Sequence, residues 1–176
     1  ITGADGQLGT ELKKTGPKNF ELLALGRDKL DISAVESIAD TIGQFKPTVV
    51  INAAAYTAVD QAEAEPEVAE QINSLAPGYL AAACRKSRAM LIHISTDFVF
   101  DGLGNTPYKP DSKVSPLGSY GRTKLLGEEK ILEALSTALI VRTSWVYSAY
   151  GKNFVKTMLR LMQERDTVRV VEDQIG

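Results

Sequence analysis

ITGADGQLG, residues 1–9, decides how this chain is read. Gly3, Gly6 and Gly9 recur at every third position, a G-x-x-G-x-x-G pattern. Glycine lets a backbone turn tightly and approach a polyanion with no Cβ in the way. A helical pattern opens at about Gln7. A helix start points free N–H groups and the positive end of its dipole outward, which suits a pyrophosphate. Gly9 is expected to let that helix pack closely on a sheet. A glycine-rich turn also serves plain chain reversal, so the residues beyond it have to decide.

Those residues alternate between apolar, β-branched runs and helical patterns. FELLAL (20–25) reads as a strand. Residues 33–45 read as a helix, with Ser33 as N-cap and Glu36 at the capping-box spacing. TVVI (48–51) is a buried strand ending at Asn52, and residues 60–86 are helical with a kink or a break expected near Pro66 and near Pro77. MLIHI (90–94) is a strand. Residues 101–116, rich in Gly, Pro, Asp and Ser, form a long loop, a candidate binding loop or lid. A helix over 119–133, a strand over ALIV (138–141), an amphipathic helix over 153–164 and a strand over VRVV (168–171) complete the series.

Strand–helix alternation of this length predicts an α/β fold, a doubly wound parallel sheet with helices on both faces. With the glycine turn it is a Rossmann-type NAD(P)-binding domain over residues 1–176. Both ends read as cut. The glycine turn is already under way at Ile1, and Asp173–Gly176 follow directly on an apolar run. Most of the first strand and most of a C-terminal substrate-binding part are expected to lie outside the sequence.

Composition narrows the partners. The 176 residues are 44% hydrophobic, enough for one well-buried core, and carry a formal net charge of −2. No long basic run suggests nucleic acid. No apolar run has the length to span a bilayer, and no signal peptide is visible. One cysteine, Cys84, cannot form an internal disulfide, and one histidine, His93, makes a Cys/His zinc site improbable. His93 reads as a packed strand residue, and the cytoplasm is the expected compartment.

After the second strand come Gly26-Arg27-Asp28. An acid in this region would bind a ribose 2′-hydroxyl, whereas Arg27 suits a 2′-phosphate; a solvated loop arginine is the plain alternative. Asp31 and Ile32 could hold the adenine amino group and ring face, or Asp31 could belong to the turn into the next helix. Ala53, Ala54 and Ala55 leave room for the adenosine half of a dinucleotide, or simply pack tightly.

Tyr120 and Lys124, in YGRTK (120–124), stand at i and i+4 and share one helix face. An ammonium beside a phenol favours the phenolate, so Tyr120 can pass a proton to a carbonyl oxygen as hydride reaches the carbon. Lys124 can also bond the nicotinamide ribose. Thr96 ends the 90–94 strand run, at the carboxyl edge where open α/β sheets bind ligands, and could polarise the same carbonyl. Trp145 ends the next strand and is either a platform for a planar or sugar ring or part of the core.

Together these motifs resemble the extended short-chain dehydrogenase/reductases and, more narrowly, the dTDP-4-dehydrorhamnose reductase family. The stretches ITGADGQLG (1–9), VINAAAYTAVDQAE (50–63), ISTDFVFDG (94–102), YGRTKLLGE (120–128), RTSWVY (142–147) and NFVKTMLRL (153–161) carry the resemblance. It implies an oxidoreductase of nucleotide-sugar metabolism. Such an enzyme reduces the 4-keto group of a dTDP-4-dehydro-6-deoxy-L-mannose with NADPH, NADH being the alternative, on the way to cell-surface polysaccharide. The family's catalytic trio falls on Thr96, Tyr120 and Lys124. Its cofactor contacts fall on Gly3, Gly6, Gln7, Leu8, Gly9, Asp31, Ile32 and Ala53–Ala55, and its substrate contacts on Val59, Thr96, Asp97, Phe98, Tyr120 and Trp145. Some members form a homodimer bridged by Mg²⁺, and Glu11 matches one such acidic position. Phe98 stands where members often carry an aromatic hydroxyl, and no glutamate stands near Pro110 where members often have one. Two rivals fit the same fold: an epimerase or dehydratase of the superfamily, and a non-catalytic NADP-binding regulatory subunit.

Overall fold

A computed structural model describes residues 1–171. Three parallel strands form its sheet in the order β1 (Val49–Asn52), β2 (Met90–Thr96), β3 (Leu139–Thr143). Asn52 stands opposite His93, and Thr96 opposite Thr143. On the far side of β1, Thr2 bridges both Asn52 and Leu25 in parallel fashion. The chain therefore runs outward from Thr2 to Leu25, then returns past Thr2 to enter β1. Right-handed crossovers at such a reversal place successive helices on opposite faces and open a crevice at the carboxyl edge. The glycine turn sits at that reversal.

Phe20–Leu25 is not the regular strand expected from its composition. Only Leu25 bridges, and Phe20 and Leu22 are exposed. Its pairing consists of a few bonds beside the glycine turn: Leu25 N–H to the Ile1 carbonyl (2.9 Å) and Ala4 N–H to the Leu25 carbonyl (3.0 Å). The expected strand at 168–171 is also absent. Val170 and Val171 are exposed, with no strand beside them among the described residues to supply ladder bonds. The Asp173–Gly176 stretch lies outside the described residues.

The helices are α1 (Gln7–Thr15), α2 (Val35–Phe45), α3 (Gln61–Ala64), α4 (Pro66–Glu70), α5 (Ala76–Ser87), α6 (Ser119–Ala134) and α7 (Phe154–Glu164). Ser33 does not cap α2. Its N–H and hydroxyl both donate to the Asp31 carboxylate (2.9 and 2.7 Å), which closes a turn of its own, so Ala34 is the N-cap and no capping box forms. Asn153 does cap α7, accepting the Lys156 N–H at 3.0 Å.

Both prolines interrupt the regular helix, one with a break and one with a widened turn. Pro66 starts α4, after Glu65 leaves helical geometry. Before Pro77 the chain widens into a π-helical turn, Gln71–Leu75, in which the Ala76 N–H reaches the Gln71 carbonyl. Proline has no N–H for the carbonyl four residues earlier, that of Asn73, and one wide turn absorbs the mismatch. The Asn73 side chain ties this turn to its surroundings, accepting the Tyr56 N–H (2.8 Å) and donating to the Tyr56 carbonyl (3.0 Å) and the Thr123 hydroxyl (3.3 Å).

Leu30, Ile38, Leu80, Leu91 and Ile131 centre a core that joins α2, α5 and α6 to the sheet. Cys84 lies within it, and burial pushes its thiol up to about 11. No helix among the described residues is long and apolar enough to cross a membrane.

Candidate active site

At the glycine turn, Gly3 adopts φ +64°, and a Cβ there would stand 2.6 Å from the Ala54 nitrogen and 2.7 Å from the Ala53 carbonyl. The turn thus rests directly on the Ala53–Ala54 backbone, which fixes both segments. Gly9 is needed for contact with the turn itself: its Cβ would lie 2.3 Å from the Gly3 carbonyl oxygen. Gly6 occupies the N-cap of α1, which has no side-chain cap and no acid in its first turn. The Gln7 side chain is committed elsewhere, donating to the Val146 carbonyl (3.0 Å) and accepting from Asn153 (2.9 Å). It fastens the segment after β3 to the turn.

Beside the turn, Arg27 is exposed, and no hydrogen bond or ion pair engages it among the described residues. The neighbouring acid Asp5 is taken by Lys13 at 3.5 Å. Asp31 serves the turn into α2; its bonds from Ser33 hold the carboxyl below its ordinary value. Ile32 is buried in the core. Glu11 accepts the Ser148 hydroxyl at 2.5 Å, and the described residues contain no group of three or more His, Cys, Asp or Glu able to hold a metal.

The carboxyl end of β2 meets the first turns of α6. Thr96 is buried; its hydroxyl donates to Asp97 (3.1 Å) and accepts the Phe98 N–H (3.2 Å). Gly121 lets α6 approach this point, since a Cβ there would lie 2.2 Å from the Phe98 carbonyl oxygen. Tyr120 follows from α6, packed edge-on against Phe98 at 5.5 Å between ring centroids. Burial raises its phenol above the usual value; the Thr96 hydroxyl offsets part of this, and the Asp97 charge adds to it.

Lys124, one turn on, is only 1% exposed. Its Nζ donates to the Ile94 carbonyl at 2.7 Å and lies 3.2 Å from His93 Nε2. Burial lowers its pKa to about 8, with the Glu128 charge acting the other way. Glu128 is itself held by Arg142 (2.6 Å) and the Ser95 hydroxyl (2.5 Å), a buried carboxylate and a half-buried guanidinium linking α6 to β3 and β2.

Trp145 is half-exposed, with φ +52°, and its ring meets Phe154 edge-on at 5.6 Å. It is not a core residue. Val59 and Phe98 are likewise exposed. Across residues 101–116 no regular element forms, and the loop is anchored by Tyr108 stacked on Phe100 (4.3 Å) and by Arg142 donating to the Pro110 carbonyl (3.1 Å).

The RmlD substrate binding domain matches residues 1–176, the whole sequence. The chain belongs to the RmlD substrate-binding-domain family. Among its relatives, a dTDP-4-dehydrorhamnose reductase of Burkholderia thailandensis is 44% identical over the full chain, which spans 59% of that protein. A crystal structure of a dTDP-4-dehydrorhamnose reductase from Clostridium acetobutylicum superposes on all of the chain with a TM-score of 0.97 at 44% identity; the chain covers 63% of it. A Bacillus anthracis dTDP-4-dehydrorhamnose reductase in complex with NADP matches 94% of the chain at a TM-score of 0.91 and 40% identity, with 59% of that structure covered. The chain therefore spans about three fifths of the length of these family members.

Within this family member, sequence reasoning missed the polar groups beneath the tyrosine–lysine face. Asn52, His93 and Glu128 are all buried. His93 had a signal: an imidazole inside an apolar strand needs partners, and the parallel register puts Asn52 beside it. Nothing in the spacing pointed to Glu128.

Proposed function

We propose that this chain is the cofactor-binding and proton-donating part of an NADPH-dependent dTDP-4-dehydrorhamnose reductase. The reaction is reduction of the 4-keto group of dTDP-4-dehydro-6-deoxy-L-mannose to give dTDP-L-rhamnose. The observation that carries the proposal is the meeting of Thr96, Tyr120 and Lys124 at the carboxyl end of β2, with Tyr120 held protonated by burial and Lys124 fixed on the Ile94 carbonyl.

The residues fit a dinucleotide. The uncapped start of α1 behind Gly6 offers N–H donors to a pyrophosphate, and unpaired Arg27 offers a guanidinium to a 2′-phosphate. A bound nicotinamide would supply hydride to the carbonyl carbon. Tyr120 gives its proton to the carbonyl oxygen, and its raised pKa keeps that proton in place until negative charge develops there. Thr96 turns its hydroxyl from Asp97 to the same oxygen. Lys124 stabilises the phenolate that remains. Phe98, Val59 and Trp145, exposed around this edge, would line the sugar and base. Glu11 is given no metal in this reading: one of its oxygens accepts the Ser148 hydroxyl, and the described residues gather no group of three ligating side chains around it.

The test is Tyr120→Phe in the complete protein, with dTDP-4-dehydrorhamnose and NADPH, followed by nicotinamide absorbance. The expected loss in kcat is on the order of 10²–10⁴, with NADPH binding retained. A variant that keeps most of its turnover overturns the proposal.

A further inference from the structure

We propose that Asn52 and His93 are positioning residues for the proton-transfer pair: they fix His93 as its Nε2–H tautomer, which donates to Lys124 and favours release of a lysine proton toward Tyr120. The inference rests on the functional reading above for the role of Tyr120 and Lys124, but its geometry stands alone.

The Asn52 amide has only one workable orientation. Its Oδ1 accepts the Thr2 hydroxyl at 2.6 Å and the Ala54 backbone N–H at 3.2 Å. A backbone N–H can only donate, so the oxygen must stay on that side. The amide nitrogen then faces His93 Nδ1 at 2.9 Å, and it too can only donate. Nδ1 is therefore an acceptor. His93 is fully buried, and burial together with the lysine charge holds it well below its ordinary pKa, so it is neutral. Its single proton sits on Nε2.

Nε2 lies 3.2 Å from Lys124 Nζ. An ammonium has no lone pair, so it would meet the Nε2–H donor to donor. A neutral amine presents a lone pair there, and still donates to the Ile94 carbonyl. The buried network is fully hydrogen-bonded only when Lys124 has given up a proton. The charge acting on Lys124 is Glu128 on its own helix; Tyr120, titratable on the same helix, feels the charge of Asp97 just after β2. Arg142 of β3 neutralises Glu128, and Glu63 of α3 is bound to Ser119. Asn73, on the π-helical turn, carries no charge.

The consequence is a balanced proton cycle. Tyr120 loses its phenolic proton to the carbonyl oxygen. The Lys124 ammonium passes one proton to the phenolate, directly or through an intervening hydroxyl. The remaining amine accepts the Nε2–H of His93, and solvent returns one proton to Lys124. His93 keeps its own proton throughout.

The test reads the His93 tautomer directly in the complete protein. Protein labelled with ¹³C and ¹⁵N at histidine is compared with the same protein carrying His93→Gln: the imidazole signal lost in the variant belongs to residue 93, and its ring shifts report the tautomer. Nε2–H is expected in the unmodified protein. Asn52→Asp keeps an oxygen for Thr2 and Ala54 but turns the donor facing Nδ1 into an acceptor. His93 should then move its proton to Nδ1, and Nε2 should accept from the ammonium. The alkaline limb of kcat should rise by about one pH unit or more, because Lys124 holds its proton longer. An Nδ1–H tautomer in the unmodified protein overturns the proposal whether or not the variant folds. So does an unmoved alkaline limb in a folded Asn52→Asp enzyme. Failure of the functional reading is seen separately: the tautomer is read without substrate, whereas that reading fails on the turnover of Tyr120→Phe.

Discussion

Gly127 on α6 packs against the carbonyl of Asn73 so closely that a Cβ at residue 127 would stand 2.1 Å from the oxygen. The carbonyl belongs to the wide turn forced by Pro77, so a proline on one helix requires a glycine on another. The same contact sets how near α6 approaches β2, and hence where Lys124 reaches the Ile94 carbonyl. Gly127→Ala should gain about 1 kcal/mol of helix propensity and lose about 1–3 kcal/mol to overpacking, a net destabilisation. Gly43 on α2 is the control: nothing lies within 4 Å of its Cβ position, so Gly43→Ala should stabilise. Urea denaturation of both variants gives the signs. A Gly127→Ala protein as stable as Gly43→Ala would show that the helices can part at no cost.

Trp145 gives a prediction that separates packing from recognition. Burying a tryptophan in a core makes its loss cost about 3–5 kcal/mol. Here the ring is half-exposed and its backbone is in the left-handed region, which disfavours any side chain. Trp145→Ala should therefore change stability by no more than about 1–2 kcal/mol. In the complete enzyme it should raise KM for the sugar nucleotide while leaving the NADPH dissociation constant unchanged. A large fall in melting temperature with KM untouched would return Trp145 to a structural role.

Arg27 should set the choice between cofactors. It is exposed, no ion pair engages it among the described residues, and Asp5 beside the turn is engaged by Lys13. Arg27→Ala should lower the ratio of kcat/KM for NADPH to that for NADH about five- to thirty-fold, chiefly by weakening NADPH. Equal losses with both cofactors would mean that Arg27 does not meet the 2′-phosphate.

Much of this was legible from local patterns. The glycine turn, the helix from Gln7, the interruptions at Pro66 and before Pro77 and the shared face of Tyr120 and Lys124 each follow from short-range rules. The failures have a common cause. Phe20–Leu25 is rich in leucine and 168–171 in valine, but composition alone makes no strand: one forms only where a neighbour supplies ladder bonds. Ser33 and Glu36 have capping-box spacing, yet Asp31 two residues earlier captures the serine. The Thr2–Asn52–His93–Lys124 network joins four segments far apart in the sequence, and only the parallel register of β1 and β2 brings them together.

Burial of Lys124 also predicts how stability depends on pH. Its pKa falls from 10.5 to about 8 in the folded chain. Below pH 8 both folded and unfolded states carry the proton, and the full cost of burying the charge is present. Between about 8 and 10.5 the folded state has released a proton that the unfolded state still binds. Stability rises with pH wherever the unfolded state binds more protons, so the lysine's contribution should climb across this window. The shift corresponds to a ceiling on the order of 3 kcal/mol. Cys84 acts in the opposite sense: its folded pKa is raised from 9.0 to about 11, so its contribution declines as pH rises between those values. The difference between the unmodified chain and Lys124→Met isolates the lysine, since Cys84 is present in both. Urea unfolding from pH 7 to 10 should show Lys124→Met the more stable at pH 7, with its advantage shrinking as pH rises. An advantage that stays constant over this range would mean that Lys124 titrates at its ordinary value, and that burial does not make its proton available near neutral pH.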